Sequence, residues 1–344
     1  MSNRELKIFI LFNFSKKDGG GSTFLKSLKK EIGSKGLLCK DPFDADIIIF
    51  NSHHEFYKLV KLKFKYPKKK FIHRMDGPLS SNRKHGNIFD KLIYQFNLYL
   101  ADATIFQSQW SLSRNLNSGL KLAKKYKIIH NSSDSAIFNG INKIHYQPSK
   151  KCKLISSSWS FHPNKGIDIL NQLDNSLDFN KYEMVFIGNE KYKFKNIKNL
   201  GVMSSELLGK YLKSSDIYIS TSKIEACSNS LIEAVSCGLP SITRNCSSNS
   251  EIVKDQRLLY NDMDELLSKL DKVRTGLNRE NNYKYNFKSI STITNDYIDF
   301  SREIYEDINN SSVNYIIFLK LLINIFLFKF LSKLRVTAIL KFLI

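Results

Sequence analysis

Acidic residues are too few in this sequence to balance its basic ones. Asp and Glu total 32 against 53 Lys and Arg, a net charge of +21 with His neutral, so the partners it selects are polyanions: nucleic acid, an acidic membrane surface or a phosphorylated substrate. The lysines come in patches, such as Lys68-Lys69-Lys70 and the alternating Lys61, Lys63 and Lys65, without a zinc-finger, RNA-recognition or basic-zipper pattern. No nucleic acid partner is therefore expected, and an anionic membrane surface is favoured. Cysteine is scarce too: Cys39, Cys152, Cys227, Cys237 and Cys246 are odd in number and scattered, with no CxxC pair or metal-ligand cluster, which points to a reducing compartment. Long apolar runs are missing. In the tail 313–344 the longest uncharged one, Leu321–Phe328, is far short of the roughly 20 residues that span a bilayer. A signal peptide is not expected either, since Lys7 interrupts the run Leu6–Phe14 and no small-residue cleavage site follows.

What is present is a chain of 344 residues, 42% hydrophobic, enough for two domains of ordinary size. In the first half, Leu6–Phe14 reads as a strand, followed by a glycine loop and a helix from Thr23. Gly20 and Gly21 would let the backbone approach phosphate or sugar closely, with a plain flexible turn as the competing reading. Ile47–Phe50 is the next strand. Phe71-Ile72 runs into His73-Arg74-Met75-Asp76, where imidazole, guanidinium and carboxylate crowd at a strand end; a lone histidine there is usually structural. A linker falls near 139–151. In the second half, Cys152–Ser156 is a strand, and Lys165-Gly166 stands at the entrance of a helix from Ile167, a compact cation with backbone donors suited to a diphosphate. Tyr182–Gly188 is a strand ending in the Gly188-Asn189 turn, and Ser205–Lys213 a helix. Residues 265–308 read as helices, with 291–308 crossing back onto the first domain. Asp44-Ala-Asp46 and Asp262-Met-Asp264 lack the preceding apolar strand that a metal-binding DxD requires. The tail 313–344, apolar with scattered lysines, reads as short interfacial helices on anionic lipid, against a C-terminal core or dimer helix.

The densest stretch is 214–253. Ile217–Ser220 is a short strand, Glu225 follows in a polar loop, and a helix over Leu231–Ser236 ends at Gly238 and Pro240, a C-cap glycine and a stop. Asn229 and Ser230 fall at or near the N-cap, so amides around Ser230 and Leu231 could hold a phosphate while Glu225 and Glu233 accept sugar hydroxyls. The competing reading is a solvated glutamate and one favoured by the helix dipole.

The run Glu225-Ala-Cys-Ser-Asn-Ser-Leu-Ile-Glu233-Ala-Val-Ser-Cys-Gly238-Leu-Pro240, with seven residues between the glutamates, resembles the donor-binding signature of family-4 retaining glycosyltransferases. Glu251 matches a third acidic position. The resemblance implies an α/β chain of the GT-B fold, two Rossmann-like domains facing across a cleft. The first spans 1–147 plus the crossing helix 291–308, and the second, 151–290, binds the nucleotide-sugar. It implies Glu225, His73 and Lys165 as catalytic, with Glu225 by the donor sugar, Lys165 at the diphosphate and Glu233 at the ribose. Ser230, Leu231, Asn229, Gly188, Ser160, Gly20 and Gly21 would line the donor site, and Asp76 and Arg74 would contact acceptor or sugar. No metal and no cofactor are implied, the nucleotide-sugar being a substrate. The implied acceptor is a glycan or lipid-linked hydroxyl in surface polysaccharide synthesis, at the inner, cytoplasmic face of the cell membrane. One departure stands out: the family's arginine five residues before the lysine is Ser160 here. It leaves open a decayed glycan- or nucleotide-binding protein, with a GT-B epimerase as a further rival.

Overall fold

The short apolar runs form two parallel sheets whose inner strands are buried as a covered α/β sheet requires. The computed structural model describes residues 5–14, 20–81, 86–122, 125–148, 150–160, 162–189, 191–277 and 282–307, together with 316, 319–323 and 326. The chain divides into two units: Met1–Lys17, Leu28–His130 and Ser291–Ile344 make the first, Asp18–Ser27 and Asn131–Ile290 the second. The division falls at residue 131, earlier than the linker expected near 139–151.

The first sheet takes its strands in chain order: β1 (Ile8–Leu11), β2 (Ile47–Asn51), β3 (Lys70–Met75), β4 (Ala103–Phe106) and β5 (Tyr126–Ile128). Between them run α1 (Gly20–Ser34), α2 (Phe56–Lys65), α3 (Gly86–Leu100) and α4 (Gln109–Asn117). Helix α1 begins earlier than expected. Gly20 and Gly21 are its first residues and not a loop ahead of Thr23.

Helix α2 contains the alternating lysines. Leu59, Val60 and Lys63 form its buried face, at helical spacing. Lys63 is 1% exposed and pairs with Asp102 at 3.0 Å, while Asp102 also accepts the Phe71 N–H at 2.8 Å.

The second sheet contains β6 (Cys152–Ser158), β7 (Tyr182–Gly188), β8 (Lys198–Asn199), β9 (Ile217–Ser220), β10 (Ser241–Arg244) and β11 (Leu259–Tyr260), in the order β11-β10-β9-β6-β7-β8. Its helices are α5 (Ile167–Ser176), α6 (Ser205–Lys213), α7 (Asn229–Ser236), the short α8 (Asn249–Ile252) and α9 (Met263–Gly276). The strand order reverses between β6 and β9, and ligands of open α/β sheets bind outside the carboxyl ends of strands at such a switch point.

Residues 265–308 are not one run of helices: residues 282–289 are non-helical ahead of α10 (Ile290–Glu306). Ile293, Tyr297, Phe300 and Ile304 form its buried stripe. Most of the tail 313–344 lies outside the described residues. Within it, 319–323 are helical, and Leu321 is buried in the cluster of Leu59, Val60 and Phe71, so this piece packs on the first unit's core. Among the described residues, no helix is long and apolar enough to cross a membrane.

Candidate active site

The loops leaving β6 and β9 are stitched together at the switch point. After β6 the chain turns through a 3-10 segment, Pro163–Lys165, and Gly166 takes a φ of 73° before α5 begins. A side chain is excluded at Gly166, because a Cβ would stand 2.0 Å from the Thr221 carbonyl oxygen. The Thr221 hydroxyl donates to Lys165 O at 2.8 Å, and the Lys223 N–H donates to Asn164 O at 2.7 Å. These bonds set the Lys165 side chain against the loop after β9, where its ammonium donates to Glu225 Oε1. Two residues 60 positions apart, both expected in the site, are thus in direct contact. Glu225 is fixed from the far side as well: its N–H donates to Ser247 Oγ at 3.1 Å, and its carbonyl accepts the Ser248 N–H at 3.3 Å.

Helix α7 follows. Its N-cap is Ser228, one residue before Asn229, and the Ser228 hydroxyl accepts the Leu231 N–H at 3.4 Å. That bond removes Leu231 from the amides open to a phosphate, a correction to the sequence reading; Ser230 stays in the first turn. Asn229 Oδ1 accepts from Asn131 Nδ2 at 2.7 Å. Glu233 is 8% exposed, and burial pushes its carboxyl up to about 8, so at neutral pH it holds a proton while no ligand engages it. The floor between β6 and α7 is Tyr218. Its hydroxyl lies 3.4 Å from Ser157 Oγ and bonds the Ser230 side chain. Neither Tyr218 nor Thr221 was singled out in the sequence, since a strand tyrosine and a loop threonine carry no spacing signal.

Ser160 turns into its own loop, its hydroxyl accepting the His162 N–H at 3.3 Å and its carbonyl accepting from the Tyr192 hydroxyl at 3.2 Å. Beyond Tyr192 opens a cavity of about 430 Å³, walled by Lys193, Phe194, Asn199 and Leu200. Gly188 has a packing reason to be glycine: with φ 159°, a Cβ would stand 1.9 Å from Ser158 O.

In the first unit, His73 and Arg74 are wholly buried, which withdraws both from contact with a sugar or acceptor. His73 stacks on Phe50 with centroids 4.3 Å apart. Its Nε2 lies 3.2 Å from Ser52 O and its Nδ1 3.1 Å from Asn97 Nδ2, a pattern that fits a neutral ring with the proton on Nε2. Burial pushes its pKa down to about 3. The Arg74 guanidinium is spent on Asn51 and, at 3.4 Å, on Asp76. The physical reason is position: β3 is the middle strand of five, covered on both faces. Asp76 remains partly open, its side chain 34% exposed. Among the described residues there is no group of His, Cys, Asp and Glu able to hold a metal ion.

Solved structures of known proteins share this fold. The sucrose-phosphate synthase of Thermosynechococcus elongatus superposes with a TM-score of 0.60 at 12% identity, over 96% of this chain and 100% of its own. HepE of Anabaena, solved with UDP-glucose, gives 0.60 at 15% identity over 93% and 99%. The lipopolysaccharide outer core galactosyltransferase WaaB gives 0.56 at 13% identity over 95% and 100%. The chain therefore has the GT-B fold, with two Rossmann-like units. Residues 141–289 match the family of glycosyl transferases group 1, which bears out the resemblance carried by Glu225–Pro240. No curated protein sequence matches the chain.

Proposed function

We propose that the chain is a retaining glycosyltransferase, moving a sugar from a nucleotide-sugar to a hydroxyl of a glycan or lipid-linked acceptor in surface polysaccharide synthesis. The observation that carries this reading is the Lys165–Glu225 contact at the switch point, with buried Glu233 on the helix that follows. In it the Lys165 ammonium turns to the leaving diphosphate, where negative charge grows in the transition state. Glu225, released from the lysine, orients hydroxyls of the donor sugar. Glu233 accepts the ribose hydroxyls, bonds that favour its ionised form over the protonated one burial imposes. The amide of Ser230 adds a donor at the start of α7, and the cavity beyond Tyr192 takes the base. Lysine and helix supply the positive charge at the leaving group, so a chelator is expected to leave the rate unchanged. The basic composition supports a peripheral place on the inner face of the cell membrane.

HepE was solved with UDP-glucose, which makes uridine diphosphate sugars the first donors to try. With donor and lipid-linked acceptor, Lys165→Ala and Glu225→Ala are each expected to lower kcat by roughly 10²–10³-fold with an unchanged circular dichroism spectrum. Wild-type rates in both variants would overturn the assignment. A second reading has one observation in its favour, Ser160 in place of arginine: a silent binding protein, which would bind nucleotide without turning it over.

A further inference from the structure

Helix α2 carries an exposed face that combines aromatic and basic side chains. Tyr57, Lys58, Lys61, Phe64 and Lys65 are exposed, and Lys68 just beyond the helix is exposed too. Positions 57, 61 and 64 follow three- and four-residue steps and so share one side, opposite Leu59, Val60 and Lys63. Tyr57 and Phe64 leave 48% and 51% of their surface open. The Lys61 ammonium sits 4.4 Å over the Tyr57 ring. Two acidic groups approach the face: Glu55, paired with Lys58 at 2.8 Å, and Asp41, close enough to Lys65 to act on its charge. Even with both counted, the lysines outnumber them.

A second segment of the same kind packs on the same cluster. Leu321 is buried with Leu59 and Val60, while Leu319, Lys320 and Ile323 around it are exposed. Aromatic and aliphatic side chains ringed by lysines match the headgroup region of an anionic bilayer: the rings enter the boundary and the ammonium groups meet lipid phosphates. We infer that the exposed face of α2 is the surface by which the first unit lies on an anionic lipid membrane. This rests on the membrane reading above and assigns it to named residues. Charge complementarity chooses the occupant, since the lysines outnumber the acidic groups beside them and anionic lipid supplies the missing negative charge.

The test is co-sedimentation of the full-length protein with vesicles of phosphatidylcholine alone and of phosphatidylcholine mixed with phosphatidylglycerol. Wild type is compared with Lys61→Glu/Lys65→Glu, with Tyr57→Ser/Phe64→Ser, and with Lys254→Glu/Lys272→Glu, the same charge change at exposed sites of the second unit. The expected result is binding to phosphatidylglycerol vesicles only, weakened about tenfold or more in both α2 variants and within about twofold of wild type in the control, and diminished by added salt. The proposal is overturned if wild type ignores the anionic vesicles, if the α2 variants sediment as wild type does, or if the control loses as much as they do. It is also overturned if the α2 variants keep vesicle binding and lose binding to a duplex oligonucleotide, which would make the face a nucleic acid surface. Stabilisation by nucleotide, read on the same variants, depends on second-unit residues and stays as in wild type, so failure of the membrane face and failure of the transferase site give different results.

Discussion

Glu233 is a carboxyl held out of water, and its titration carries a prediction. The ordinary glutamate value is 4.5, whereas burial moves this group up to about 8. Between those values the folded state keeps a proton that the unfolded chain has lost, so Glu233 lowers stability progressively as pH rises through the window. Glu233→Gln removes the effect. The variant is expected to melt close to wild type at about pH 5 and above it at about pH 8, a difference on the order of a few kcal/mol. Melting curves that stay parallel across the range would show that Glu233 is not held protonated. The pairing of Glu225 and Glu233 was legible in the sequence because their spacing carries a signature; the burial that sets the charge of Glu233 was not, because it depends on the packing of α7. His73 shows the same limit. Its place at a strand end could be read, but whether its ring faces a ligand or Phe50 is decided by neighbours far along the chain, Ser52 and Asn97.

At the scale of elements, the site depends on how the loop after β6 meets the loop after β9. Gly166 permits the approach, with a positive φ and no room for a Cβ against Thr221. Gly166→Ala is expected to cost about 1–3 kcal/mol from backbone strain alone, with further loss from the clash, and to lower turnover by displacing Lys165. Chemical denaturation beside a rate assay checks both; a variant with unchanged midpoint and rate would show that the loop accommodates a side chain freely. Helix α2 offers a second case. Removing Lys63 strands a largely buried carboxylate, so Lys63→Ala is expected to destabilise by about 3–5 kcal/mol, with Lys63→Met/Asp102→Asn recovering part of it. Denaturation midpoints of the single and double variants test this, and equal losses in both would place the cost in packing and not in charge.

Strands β7 and β9 and helix α6 were legible to the residue, since mostly apolar runs between turn residues and a capped amphipathic run each leave a local trace. The alternation of lysines in α2 left no trace of which one is buried, because a period-two pattern of charge can coexist with a helical pattern of burial.

For the whole molecule, the two α/β units carry different features. The second unit holds the switch-point site, and the first carries the basic, aromatic face of α2. Net charge and the lack of a nucleic-acid motif favoured an anionic membrane in the sequence, and the exposed lysines and rings of α2 give that proposal a place on the first unit. The most direct test of the central claim is a thermal-shift panel of UDP, GDP, ADP, CMP and their sugar conjugates on wild type and on Glu233→Ala. The expected result is stabilisation by one nucleotide and its sugar conjugate, lost in the variant. No stabilisation by any of them, or an equal shift in both proteins, would contradict a nucleotide-sugar site built on Glu233.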